Sequence, residues 1–165
     1  MLFKAHIGGL FLFLKNNNLP IIFSMNIQDI QARIIKEFSL FEDWTDKYKY
    51  IIKLGSKLEE LPEEDHIDEN LVKGCQSQVW LTAKMDDEKL VFKADSDAAI
   101  TKGLVALMIR VYSNQSPDDI LLNNPDFLKN IGLAEHLSPT RANGLASMVK
   151  QMKIYAMAYK SKLTT

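Results

Sequence analysis

Residues 79–94 constrain the fold of this chain most, because apolar and polar side chains alternate there with a period of two. Such alternation is typical of strands with one buried face. The polar residues 86–88 separate two alternating runs and predict a hairpin with a three-residue loop. Leu71 and Val72 predict a short third strand ahead of this hairpin. A three-stranded antiparallel sheet with one apolar face needs other elements to cover that face. The apolar positions of the two runs are Val79, Leu81, Ala83, Met85, Leu90, Phe92 and Ala94.

Segments with helical periodicity lie on both sides of these strands and can cover the sheet. Asn26 is the expected N-cap of the first helix, and Ser96 or Asp97 that of the third. The order of two helices, three strands and four helices predicts an α+β fold, with a small three-stranded antiparallel sheet backed by helices. The predicted helices cover residues 27–38, 43–54, 97–112, 117–122, 125–132 and 139–160.

Two glycines in these helical segments have separate interpretations. Gly55 follows the second helix and predicts its C-terminal stop. Gly103 lies inside the third helix, where glycine costs about 1 kcal/mol relative to alanine. We therefore expect Gly103 to permit close packing between elements.

The chain has 165 residues, a length that suits one domain with a substantial core. Near the N-terminus an apolar run extends from Ile7 to Leu14, which is too short to span a membrane. A helix start follows Met25 at once. We therefore expect residues 1–24 to be a non-native or disordered N-terminal extension, and residues 25–165 to form a single domain.

Charge and cysteine content exclude several classes of function. The net charge is -1, whereas a general nucleic-acid-binding surface needs a basic excess. A single cysteine excludes an internal disulfide, a CxxC redox pair and a four-cysteine metal site built by one chain. We expect no metal, no cofactor, no nucleic-acid partner and no membrane partner. A free thiol fits a reducing compartment, so we expect a cytoplasmic location.

Cys75, in the stretch LVKGCQSQVW at residues 71–80, is the candidate functional residue. Free cysteine is among the most buried residue types and often serves only packing, so that interpretation stays open. The neighbours favour function, because Gly74 permits a tight turn and Lys73, Gln76 and Ser77 are polar. Loops on a rigid scaffold are where functional groups concentrate.

The chemistry open to Cys75 depends on what can activate its thiol. Lys73 or backbone N–H groups of the turn could favour the thiolate. A cysteine hydrolase would also need a base, and no local motif joins His66 or His136 to Cys75. A thiol without a base suits sulfur exchange, in which the partner supplies the leaving group.

Several separated segments resemble the SufE family of sulfur-acceptor proteins. LVKGCQSQVW resembles the family's G-C-x-S-x-V-W active-site pattern, and residues 27–55 resemble its N-terminal helical pair. ADSDAAITKGLVALMIRVYSNQSPDDIL resembles its D-S-D-A-x-I-x-x-G-L-x-A helix and the segment after it. LAEHLSPTRANGLASM resembles its H-L-[ST]-P-x-R-x-x-G-L-x-x-M segment. The related CsdE subgroup shares these patterns.

The resemblance implies a place in iron–sulfur cluster assembly and a fold shared with IscU-like scaffold proteins. A SufS-like, pyridoxal-phosphate-dependent cysteine desulfurase would pass a persulfide sulfur to Cys75 and be stimulated by this protein. The sulfur would then go to a SufBCD-like scaffold complex. The protein would thus be a sulfur carrier rather than a stand-alone enzyme. We expect supporting or partner-binding roles for Gly74, Lys73, Gln76, Ser77, Asp97, Arg141 and His136. Among these, Asp97 and Arg141 match positions of the family's motifs. An N-cap role alone would also explain Asp97, and a surface charge in the first turn of a helix would also explain Arg141.

An alternative function stays open beside this relay. The protein could be a binding module that activates a desulfurase allosterically, with Cys75 dispensable. The sequence also does not show whether the chain belongs to the SufE or the CsdE subgroup. It leaves the oligomeric state open, and a homodimer is one possibility.

We expect Cys75 to be covered when no partner is bound. An exposed thiolate would oxidise or form a mixed disulfide. We therefore expect the loop to turn Cys75 onto an apolar pocket until a partner docks, with Gly74 as the hinge.

Overall fold

The computed structural model describes residues 3–7, 10–14, 20–23 and 25–163. Within residues 1–24 the backbone forms three strands, β1 (Phe3–Ile7), β2 (Leu10–Leu14) and β3 (Pro20–Phe23), paired antiparallel in that order. These strands do not test whether residues 1–24 are a non-native or disordered extension, which stays a prediction.

The two predicted N-terminal helices are confirmed as α1 (Ile27–Phe38) and α2 (Trp44–Gly55). Each begins at a side chain that accepts a hydrogen bond from an otherwise unpaired backbone N–H of the first turn. Asn26 Oδ1 accepts from the Asp29 N–H at 2.8 Å, and Asp43 Oδ1 accepts from the Asp46 N–H at 2.9 Å.

The predicted hairpin is confirmed as β4 (Val79–Asp86) and β5 (Lys89–Ser96), paired antiparallel. Its loop has two residues rather than three, because Asp86 pairs with Lys89. Asp87 adopts a left-handed φ of 51°, a conformation that aspartate tolerates better than most residues.

The prediction of a third strand in this sheet is wrong. Leu71 forms only an isolated bridge to Trp80, and the Val72 N–H donates to the Val79 carbonyl at 2.8 Å. A 3-10 turn before Leu71 and a tight turn at Gly74 leave too little extended backbone for a ladder. The sheet of the hairpin therefore has two strands.

Tyrosines of the last helix bind the strand edge that a third strand would have covered. The Tyr155 hydroxyl donates to the Leu81 carbonyl at 3.3 Å, and the Tyr159 hydroxyl donates to the Ala83 carbonyl at 3.1 Å. Backbone carbonyls left free at a half-buried edge need such partners. The side chains of this helix thus replace part of the missing ladder.

The remaining helices are α3 (Ala99–Tyr112), α4 (Pro117–Leu122), α5 (Phe127–Asn130), α6 (Leu133–His136) and α7 (Pro139–Leu163). The prediction that Ser96 or Asp97 caps α3 is wrong, because Ala98 occupies the N-cap position and no side chain caps the helix. Helix α6 was not predicted, since its four residues are too few to show a periodic pattern. Across residues 25–163 every helix is too short or too polar to span a lipid bilayer.

Helices α2 and α3 cross in close contact at two glycines. A Cβ atom on Gly103 would lie 2.2 Å from the Ile51 carbonyl oxygen, and one on Gly55 would lie 2.7 Å from the Gly103 nitrogen. The expected packing role of Gly103 is confirmed. Helix α2 ends at Gly55, but no residue there adopts the left-handed conformation of a glycine C-cap, since Ser56 is still in the right-handed helical region. Gly55 instead allows the close contact with α3.

The apolar face of the hairpin and the buried faces of the long helices form one core. It includes Leu81 and Phe92 of the sheet, Leu107 of α3 and Met152 of α7. The core holds three elements in place beside the segment of residues 73–78 that precedes β4. These elements are β4 itself, the start of α3 and the first turns of α7.

Candidate functional site

Cys75 lies in the loop of residues 73–78, between the isolated bridge at Leu71 and strand β4. The loop turns at Gly74, whose φ of +94° is in the left-handed region that favours glycine. A Cβ on Gly74 would also lie 2.8 Å from Ser147 Oγ on α7. The backbone conformation therefore favours glycine before the cysteine, and a side chain there would also displace the Ser147 hydroxyl.

The thiol of Cys75 lies against α7 at Gly144. Cys75 Sγ donates to the Gly144 carbonyl at 3.4 Å, and the side chain is half-buried. A Cβ on Gly144 would lie 3.2 Å from Sγ, closer than side chains normally pack, and 3.5 Å from the Cys75 Cα, an ordinary contact. We call this recess at Gly144, with Ser147 one turn further along, the α7 notch.

A cavity of about 310 Å³ opens beside the thiol. It joins the Cys75 loop to α3 and to the first turns of α7, and its lining mixes apolar side chains with hydroxyl groups and one guanidinium. Among the predicted site residues it brings together Cys75, Gln76, Ser77 and Arg141. The other lining residues are Val79, Thr101, Leu104, Val105, Thr140, Gly144, Leu145 and Met148.

Asp97 holds the C-terminal end of the loop. Its Oδ1 accepts a hydrogen bond from the Gln78 N–H at 3.0 Å, and its own N–H donates to the Gln78 carbonyl at 3.3 Å. These two bonds explain why its carboxylate does not cap α3. Asp97 acts on Cys75 only through the backbone, as a residue that positions the loop.

The remaining predicted site residues lie outside the cavity. Lys73 and Gly74 are exposed in the turn, and neither lines the cavity. His136 stacks on Trp44 with ring centroids 3.6 Å apart, and its Nδ1 lies 3.0 Å from the Gly132 carbonyl. These contacts hold the turn around α6 and do not involve the thiol.

The second histidine considered for a hydrolase, His66, also contacts other groups. Its Nε2 lies 3.1 Å from Asp95 Oδ2, and Asp95 Oδ1 binds Lys102 Nζ at 2.8 Å. Neither His66 nor His136 lines the Cys75 cavity. In the part of the chain that the structure describes, no cluster of three or more His, Cys, Asp or Glu side chains could hold a metal ion. Among the side chains that the structure describes, none therefore offers Cys75 a histidine base, and no cluster offers it a metal.

Burial raises the pKa of the Cys75 thiol above its ordinary value, because removal from water disfavours the charged thiolate. The Gly144 carbonyl is also an acceptor for the S–H proton, so it favours the neutral form. In the conformation described, Cys75 is thus a protected thiol.

The raised pKa predicts the pH dependence of Cys75 alkylation. The thiolate is the reactive form, and its fraction falls when the pKa rises, so the rate is low at neutral pH and increases into the alkaline range. We expect the half-maximal iodoacetamide rate at a higher pH in the folded protein than in the urea-unfolded chain. A folded-state midpoint at or below the unfolded one would contradict the protected thiol.

Gly144→Ala is expected to expose the thiol. The added methyl group would lie 3.2 Å from Sγ and displace the thiol from its place at the Gly144 carbonyl, since the loop can move more easily than the helix. Loss of one hydrogen bond worth about 1 kcal/mol predicts iodoacetamide labelling roughly fivefold faster than in the unchanged protein. Ser161→Ala, at the far end of α7, is the matched control and should leave the rate unchanged. Equal rates for Gly144→Ala and the control would show that the notch does not hold the loop.

The sequence did not reveal four residues of this site: Thr101, Thr140, Gly144 and Ser147. Gly144 stands in the segment LAEHLSPTRANGLASM, but a helical glycine gives no sign of which loop it receives. Cys75 and Gly144 are 69 positions apart, so only the tertiary fold brings them together.

Comparison with known proteins shows the family of this chain. The family described as "SufE: Fe-S metabolism associated domain" matches residues 32–156. An uncharacterised SufE-like protein of Rhizobium meliloti (strain 1021) is 43% identical over an alignment of 126 residues, which covers 73% of this chain and 90% of that protein. A SufE-like protein of Synechocystis sp. is 40% identical over 128 residues, or 78% of this chain and 80% of that protein.

A solved structure shares the fold. The solution structure of a hypothetical protein from Thermus thermophilus superposes with a TM-score of 0.67 at 18% sequence identity. The match covers 82% of this chain and 97% of that chain, so nearly the whole of the smaller protein is included.

Proposed function

Because this chain belongs to the SufE family and so to Fe–S metabolism, we propose that its Cys75 accepts a sulfur atom from a cysteine desulfurase. The protein stimulates that desulfurase by removing its persulfide sulfur. It then carries the sulfur as a Cys75 persulfide to a scaffold complex that builds iron–sulfur clusters. The protein is a carrier, and the partner supplies the desulfuration chemistry.

The observation that supports this proposal best is a single thiol in a cavity that the described residues line without a histidine or a carboxylate. The Cys75 S–H binds a backbone carbonyl, and its surroundings raise its pKa. A hydrolase would need a base in contact with the nucleophile. Exchange at sulfur needs only a thiolate, an open approach and a good leaving thiol.

The transfer step balances without an external oxidant or reductant. The Cys75 proton leaves to solvent, and the thiolate attacks the terminal sulfur of the desulfurase persulfide. A new S–S bond forms at Cys75 Sγ while the persulfide S–S bond breaks, and its electron pair stays on the desulfurase cysteine as a thiolate. Transfer to the scaffold repeats the same exchange with Cys75 as the leaving thiolate.

A partner must first move the loop, since Cys75 faces α7 at rest. The movement breaks the Sγ bond to the Gly144 carbonyl and turns the backbone at Gly74, where the lack of a side chain keeps the cost low. The exposed Lys73 and Gln76 are then the first loop groups that a partner meets, and Arg141 lies at the cavity mouth. Asp97 holds the Gln78 end of the loop throughout.

The location follows from the same chemistry. A carrier whose only cysteine must stay reduced needs a reducing compartment, which supports a cytoplasmic location.

Alkylation of Cys75 in the presence of the desulfurase tests this docking. We expect slow iodoacetamide labelling of the free protein and faster labelling when a desulfurase without its own reactive cysteine is added. An unrelated protein at the same concentration is the control and should not change the rate. Equal labelling rates with the desulfurase and with the control would refute docking that presents Cys75.

A further inference from the structure

The Cys75 cavity has the size and the lining of a small-molecule site. Its volume of about 310 Å³ lies at the lower end of the range of roughly 300–1,000 Å³ that is usual for ligand pockets. Its inner lining is apolar, from Val79, Leu104 and Met148 among others. A few polar groups complete it, which is the usual composition of sites that orient a small ligand.

The polar groups of the cavity favour an anion. Arg141 contributes a guanidinium, and Ser77, Thr101 and Thr140 contribute hydroxyl groups. Within the described chain, none of the residues that line this cavity is Asp or Glu. Guanidinium and hydroxyl donors suit the several oxygens of a sulfonate, phosphate or carboxylate group.

Arg141 is available for such a ligand. Among the residues that the structure describes, its guanidinium takes part in no salt bridge. It is exposed in the first turn of α7, a 25-residue helix whose positive end adds to the attraction for an anion. By contrast the half-buried Arg110 on α3 is paired with Glu37.

The nucleophile in the same cavity narrows the choice of anion. Cys75 and Arg141 line the same cavity, so an anion bound by the guanidinium would share that space with the thiol. Sulfur exchange needs no base, and none of the described residues that line the cavity is a histidine or a carboxylate. The best fit is therefore an anion that carries a transferable sulfur atom.

We propose that the Cys75 cavity also accepts small anionic sulfane-sulfur compounds, with Arg141 binding the anionic group and Cys75 taking the outer sulfur. This activity rests on the proposed function in one respect, since both require Cys75 to form a persulfide. It differs in the donor, which is a small molecule and needs no desulfurase.

Thiosulfate can donate its outer sulfur to Cys75 by exchange at sulfur. The Cys75 proton leaves to solvent, the thiolate attacks the outer sulfur, and the S–S bond of thiosulfate breaks. Its electron pair leaves with sulfite, and Cys75 becomes a persulfide anion. Cyanide then takes the outer sulfur to give thiocyanate, and the thiolate returns, with no external oxidant or reductant.

The test is thiocyanate formation by the full-length protein from thiosulfate and cyanide. We expect activity above that of Cys75→Ser, and we expect Arg141→Gln to raise the thiosulfate KM roughly tenfold with a smaller change in kcat. Lys150→Gln removes one charge from the same helix outside the cavity and should leave KM unchanged. Activity no higher than that of Cys75→Ser, or an unchanged KM in Arg141→Gln, would overturn the proposal.

A second measurement separates anion binding from a structural role of Arg141. Iodoacetate is anionic and iodoacetamide is neutral, and both alkylate Cys75. Arg141→Gln should slow iodoacetate relative to iodoacetamide, whereas a purely structural disturbance would change both rates alike and overturn the role of Arg141.

The two proposals can fail independently. Loading of Cys75 by a desulfurase with L-cysteine is measured on the same preparation. Loading by the desulfurase without thiocyanate formation from thiosulfate would refute only the small-molecule activity. Thiocyanate formation without desulfurase loading would refute only the relay.

Discussion

Cys75→Ser is expected to abolish sulfur loading and to reduce desulfurase stimulation to the level seen without the protein. A hydroxyl replaces the thiol at nearly the same size, so the loop can keep its place against Gly144. The weak S–H bond is worth about 1 kcal/mol or less, and the fold should tolerate its change. The loss is therefore chemical, because serine cannot form a persulfide. The measurement is sulfide and alanine production from L-cysteine by the desulfurase.

The same variant decides between relay and allosteric activation. If the protein only binds and activates the desulfurase, Cys75→Ser will stimulate it as well as the unchanged protein does. Ser39→Ala, which removes a hydroxyl at the end of α1 outside the cavity and leaves the thiol, is the matched control. Full stimulation by Cys75→Ser would refute the relay.

Gly103→Ala is expected to cause the largest loss of stability. The added Cβ would lie 2.2 Å from the Ile51 carbonyl oxygen, which is helix backbone and cannot turn aside. Helices α2 and α3 must separate, at a cost of about 3 kcal/mol in the free energy of unfolding, of which alanine's helix propensity offsets about 1 kcal/mol. A melting temperature lower by roughly 5 °C would report this loss.

Gly144→Ala is the matched control for this effect, since it places the same methyl group in another helix. Its nearest neighbour is the Cys75 thiol at 3.2 Å, a side chain on a loop rather than backbone. We expect its melting temperature to stay close to that of the unchanged protein, because a helix-propensity gain of about 1 kcal/mol offsets the loss of the Cys75 hydrogen bond, also worth about 1 kcal/mol. Equal melting temperatures for Gly103→Ala and Gly144→Ala would contradict the contact between α2 and α3.

The parts of the fold that follow from local patterns were predicted from the sequence. Periodicity and caps located α1 and α2, the two strands of the hairpin and the start of α7 at the Ser138-Pro139 pair. The third strand was wrongly predicted because two apolar residues at 71–72 cannot show whether a ladder continues. Tyr155 and Tyr159, more than 70 positions away, bind the edge instead.

The site was predicted only in part, for the same physical reason. The sequence identified Cys75 and Gly74 from one stretch, and motif order brought in Asp97 and Arg141. It could not show that Asp97 binds the loop backbone rather than capping α3, because both uses need the same carboxylate at the same turn. Helix α7 receives the thiol through the absence of a side chain at Gly144, which no local pattern marks.

Mass spectrometry of the Cys75 peptide tests the sulfur relay most directly. The protein is incubated with a cysteine desulfurase and L-cysteine, trapped with an alkylating agent and digested without reductant. The relay predicts a gain of one sulfur atom on the Cys75 peptide, dependent on L-cysteine and lost again when scaffold is added. A Cys75 peptide without added sulfur, from a reaction in which the desulfurase has turned over, would contradict it.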